Sequence, residues 1–131
     1  MDIQHDPRFL RAVEQFNAGD FEEASDGFEE LFFEAVRGEV EFVRVFLQVS
    51  VGIHHVERGQ LRAAVERLEE GVRAIARVDD ARGYDLVALA VDVKRIVPLI
   101  AKRERARWPQ IQRVSDADAR RSSALPSDRE G

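Results

Sequence analysis

One stretch constrains the chain more than any other: GEVEFVRVFLQVSVGIHHVERG, residues 38–59. Its β-branched residues, taken alone, favour a strand. Its length argues otherwise, because strands usually span about 4–8 residues and this pattern runs for roughly twenty. The polar residues decide. Glu41, Arg44, Gln48 and His55 are spaced by three, four and seven, which makes one narrow stripe on a helix and scatters on a strand. A helix apolar on every side but one belongs in the middle of a bundle. It is no membrane span, since Glu41, Arg44, His54, His55 and Glu57 would be costly in lipid.

The flanking segments read as amphipathic helices. Asp6-Pro7 is a capped start for a helix from Pro7 to about Asn17, with Phe9, Val13 and Phe16 inward. Gly19 stops it. Asp20-Phe21-Glu22-Glu23 opens the second helix in the manner of a capping box. Its seam is Phe21, Ala24, Phe28, Leu31, Phe32 and Ala35. Gly38 and Gly59 bound the central helix. The fourth helix carries Leu61, Ala64, Val65, Leu68, Val72 and Ile75, and breaks near Asp79-Asp80. The fifth starts near Tyr84 or Asp85, and Pro98 should kink it or remove an internal hydrogen bond. The expectation is an all-α antiparallel bundle of about five helices around a buried central one. Residues 1–6 are expected to fray. Residues 1–108 form one domain, and residues 109–131 are expected to be a mobile polar tail.

Composition narrows the class. A chain of 131 residues with 44% hydrophobic content can fill one core. Without cysteine there is no disulfide, thiolate or cysteine-based zinc chemistry. MDIQHDPRFL has no apolar h-region, so a cytoplasmic protein is expected. A net charge of −5 argues against a nucleic-acid partner. The Arg-rich run 102–121, interleaved with Asp and Glu, does not reverse that. No phosphate loop, nucleophile elbow or His-Glu-x-x-His is present, and no cofactor is expected.

An internal repeat is visible. Gly19, Phe21, Ala24 and Phe28 correspond to Gly59, Leu61, Ala64 and Leu68, an offset of forty residues. This resembles the turn and second helix of a tetratricopeptide repeat, although any helical hairpin favours glycine for the turn, alanine for close approach and then a bulky residue. Two units are too few for a solenoid.

From 16 to 75, the run Phe16-Asn17-Ala18-Gly19-Asp20-Phe21-Glu22-Glu23-Ala24, then Glu29, Phe32, His54 and Gly59, resembles the small helical family known as domain of unknown function 309. The resemblance implies an all-helical fold and no established reaction. The family's His-Glu pair is Ser25-Asp26 here, and the Gln-Gly opening its buried helix is Arg44-Val45.

The helical wheel sets Ser25 and Glu29 on the flank of the second helix's seam, and Asp26 nearly opposite that seam. It turns His54 inward and His55 outward. Ser25, Glu29 and His54 could therefore converge between antiparallel neighbours. Two readings follow. A His54–Glu29 pair, with Ser25 or Asp26 nearby, could serve as a general base or as two metal ligands. Alternatively, His54 is a core histidine satisfied by Glu29, Ser50 or a backbone carbonyl. Asp26, Glu30 and Glu34 read as a solvated face. The leading expectation is a non-catalytic helical interaction or scaffold protein that forms a homodimer and binds a protein partner. The alternative is a small metal-binding or hydrolase-like protein using His54 and Glu29.

Overall fold

In a computed structural model, which describes residues 2–114, five helices follow one another: α1 (Pro7–Asn17), α2 (Phe21–Glu34), α3 (Val40–Glu57), α4 (Leu61–Ala76) and α5 (Leu86–Ala101). Each packs against the next, α1 on α2 through to α4 on α5. The all-α bundle expected from periodicity is what forms. No residue from Val40 to Val56 is exposed, so the stripe read as wet is half-covered too.

The two glycine turns are built alike. Gly19 and Gly59 have φ of +90° and +76°, the left-handed conformation that glycine adopts without a Cβ penalty. At the first, Gly19 N–H donates to the Phe16 carbonyl at 3.0 Å and Asp20 N–H to Gln15 at 2.8 Å. At the second, Gly59 donates to Val56 and Gln60 to His55, both at 2.9 Å. Both are Schellman ends, which gives the repeat a structural basis.

Small residues let the helices approach. A Cβ placed on Gly27 of α2 would lie 3.2 Å from the Ala12 Cβ of α1. One on Gly71 of α4 would lie 2.9 Å from Val49 Cγ2 of α3. The core between them is aromatic. Phe9, Phe28, Phe42, Phe46 and Tyr84 interlock with ring centroids 5.1–6.1 Å apart. These rings come from α1, α2, α3 and the turn before α5.

Two expectations differ from what forms. Residues 3–5 make a 3-10 turn, and Ile3 is buried under the core. Helix α5 runs through Pro98 without a break, so the proline, having no N–H, removes one internal hydrogen bond, the second of the two effects expected of it. Residues 109–114, assigned to the tail, are packed. Pro109 and Ile111 are buried. Asn17 clamps Ile111 on both sides, its Nδ2 donating to the Ile111 carbonyl at 3.1 Å and its Oδ1 accepting from the Ile111 N–H at 2.8 Å. Asp85 N–H donates to the Gln112 carbonyl at 2.8 Å and Val114 N–H to the Gly83 carbonyl at 2.6 Å. Trp108 meets Phe21 edge-on at 6.2 Å. The rest of the expected tail, 115–131, lies outside the described residues.

A charge cluster staples α1 to the end of α2. Arg8 reaches Asp6 Oδ2 at 2.9 Å and both Glu34 oxygens at 2.9 and 3.0 Å, with Glu30 at 3.3 Å. Its hydrogen bonds hold the Asp6 and Glu34 carboxyls below their usual range. A lowered acid pKa stabilises the fold above the unfolded carboxylate pKa. That contribution is lost as pH falls through the lowered values. Arg8→Leu should therefore lower the melting temperature at neutral pH and scarcely change it at strongly acidic pH. Thermal melts of both proteins across that range check it, and an equal decrement at every pH would contradict it. The effect is small, since the pairs are exposed.

Candidate functional site

Ser25, Asp26 and Glu29 all sit on α2, and His54 lies near the end of α3. Ser25 is buried, but its hydroxyl donates back to the Glu22 carbonyl of its own helix at 2.8 Å. That bond satisfies the serine one turn below and leaves nothing to orient toward α3. Asp26 and Glu29 are exposed. His54 is half-buried, and its ion-pair neighbour is Glu57, one turn along the same helix, with Nδ1 3.7 Å from Glu57 Oε1. That separation is too long for a hydrogen bond, and His54 Nδ1 is buried with no hydrogen-bond partner. Among the described residues, no hydrogen bond or ion pair joins His54 to Ser25, Asp26 or Glu29, and no three His, Asp or Glu side chains gather as metal ligands would. The Ser50 hydroxyl, another partner considered for His54, donates instead to the Phe46 carbonyl at 2.7 Å.

His55, expected to face outward, places Nδ1 2.7 Å from Gln60 Oε1 across the Gly59 turn. Glu30 and Glu34, read as a solvated face, are exposed but engaged by Arg8.

A recess lies elsewhere. A cleft of about 520 Å³ opens where 110–113 cross α1, lined by Leu10, Val13, Asn17, Tyr84, Ile111 and Arg113. Arg113 lies over the Tyr84 ring at 5.4 Å, with Nη1 3.5 Å from the phenol oxygen. Burial raises the Tyr84 pKa, and Arg113 opposes that rise. Sequence reasoning missed this cleft because four of its nine lining residues, Gln110 to Arg113, come from the segment taken as tail. The buried Ile111 among polar neighbours was the available signal.

Two more clefts, of about 460 and 450 Å³, run between α4 and α5. Several large apolar side chains are also uncovered. Phe33 and Val36 at the end of α2 are 77% and 62% exposed, and Val87 and Val91 on α5 are 74% and 60% exposed. Among the described residues, no helix is long and apolar enough to cross a membrane.

The family model described as Domain of unknown function (DUF309) matches residues 9–66. The resemblance read from the sequence thus holds across α1, α2, α3 and the first turns of α4, the stretch that contains Ser25, Asp26, Glu29 and His54. Helix α5 and the segment packed after it fall outside the matched residues. No curated protein matches the chain.

Proposed function

We propose that this chain, matched to a helical domain of unknown function over α1–α3, is a non-catalytic interaction protein that self-associates. The observation that carries the reading is the uncovered apolar surface. Phe33, Val36, Val87 and Val91 are each more than half exposed on a bundle whose other large apolar side chains are mostly enclosed. They form two pairs, Phe33 with Val36 and Val87 with Val91, and exposed apolar patches mark surfaces that another molecule covers. The carboxylates and hydroxyl considered for catalysis offer no comparable convergence. Sedimentation velocity of the full chain tests this reading. A concentration-dependent monomer–dimer equilibrium is expected, and a single monomeric species throughout the micromolar range would overturn it.

One observation favours a second reading. The Nδ1 of His54 is buried and unbonded, and in the tautomer protonated at Nε2 it has the free lone pair that a metal ligand or a general base needs. On that reading, metal analysis of purified protein gives stoichiometric metal in the wild type and none in His54→Ala. Metal-free wild type would remove the metal-binding form of it.

A further inference from the structure

Helix α5 ends as α1 and α3 do. Arg103 N–H donates to the Ile100 carbonyl at 3.0 Å and Glu104 N–H to Leu99 at 2.8 Å. These are the two bonds found at Gly19 and Gly59, and Arg103 takes the left-handed conformation with φ of +62°. After Gly19 and Gly59 the chain turns back as a covering helix, α2 and α4. After Arg103 it runs on without helix through Gln112. Among the described residues the third hairpin has no second arm, and the face that arm would cover is open.

That face is apolar. Val87, Val91, Lys94, Val97, Pro98 and Ala101 share one side of α5 at helical spacing, and Lys94 is the only charge among them. Leu61, Val65 and Val72 of α4 floor the groove beside it.

We infer that a second copy of this chain covers the α4–α5 face, each copy supplying a helical layer over the side that the described residues of the other leave open. This inference rests on the self-association proposed above. Size permits it. A helix of 16 residues is about 24 Å long, and two side by side are about 20 Å wide. The pair thus offers roughly 1,000 Å² in total over two copies, which reaches the threshold of a specific interface. The clefts carry charges of both signs: Lys94 shares one with Glu69 and Arg73, and Arg103 shares the other with Glu66 and Arg62. A two-fold axis parallel to the helices sets each α5 over the partner's α4 at unchanged height. Lys94 then meets Glu69 of the other copy, and Arg103 meets Glu66.

The test is the oligomeric state of the full chain with Val91→Glu, against Phe33→Glu as a control on the other apolar patch. Both positions are exposed, and circular dichroism confirms that each variant folds. The wild type and Phe33→Glu should be dimers. Val91→Glu should weaken the dimer at least about a hundredfold, since each copy would bury an unpaired carboxylate. Lys94→Glu should also weaken it, and adding Glu69→Lys should restore it. A dimer that survives Val91→Glu overturns this surface while leaving self-association standing, and dissociation by Phe33→Glu instead would move it to α2. A monomeric wild type overturns both.

Discussion

Phe46→Ala should lower the unfolding free energy by about 3–5 kcal/mol. The ring is fully buried, with neighbours on four sides: Phe42 at 5.1 Å, Phe9 at 5.4 Å, Phe28 at 5.6 Å and Tyr84 at 5.9 Å. They come from α1, α2, α3 itself and the turn before α5. A cavity collapses cheaply only when its walls can move independently. Here each wall is a ring held by a different backbone segment and by the other rings, so the upper part of the range applies. Edge-to-face and stacked pairs add about 0.5–1.5 kcal/mol each beyond burial. Against a typical total of about 5–15 kcal/mol, this one truncation removes a large share. Urea titration checks it: the midpoint should fall with the slope unchanged. Phe33→Ala, at a ring 77% exposed, should stay within about 0.5 kcal/mol of wild type. A Phe46→Ala loss below about 2 kcal/mol would mean that the aromatic cluster is not the centre of the core.

The rings of that cluster were legible because helix periodicity places Phe9, Phe28, Phe42 and Phe46 on inward faces. Gly19 and Gly59 were legible as turns, since few other residues accept their backbone angles. Pattern reading fails where the deciding contact is distant in sequence. Ile111 has no periodic neighbours, yet it is buried through Asn17, far back in the chain. Ile3 was lost in the same way. The helical wheel put Ser25 beside the seam and His54 inward; Ser25 is buried, and His54 is half-buried, as His55 is. It could not give the relative heights of α2 and α3, nor show the Ser25 hydroxyl turned back onto Glu22. The open face of α5 was hidden for a different reason. An apolar helix reads as buried all round, and only the exposure of Val87 and Val91 in the fold shows that one side is uncovered among the described residues.

Gly52→Ala should destabilise the fold by about 1–2 kcal/mol, although alanine is the better helix former. A glycine inside a helix reads locally as a defect, costing about 1 kcal/mol relative to alanine. At Gly52 the neighbouring helix reverses that sign. A Cβ there would sit 2.8 Å from Leu68 Cγ, 2.9 Å from its Cδ2 and 3.2 Å from the Ala64 carbonyl oxygen. Leu68 is fully buried and cannot swing away, and the carbonyl belongs to the α4 backbone. The two helices must part, and overpacking of this kind costs about 1–3 kcal/mol, more than the propensity gain. Gly27→Ala makes the useful contrast. Its new Cβ meets only the Ala12 Cβ at 3.2 Å, a few tenths of an ångström from comfortable, so the same substitution should be nearly neutral. Leu68→Ala alone should cost about 2–5 kcal/mol. Combined with Gly52→Ala it should cost less than the two losses added, because the alanine methyl enters space the leucine has left. Denaturant melts of the four proteins in this cycle measure the coupling. Strict additivity would show that Leu68 does not set the α3–α4 distance, leaving the Ala64 carbonyl as the wall that glycine spares.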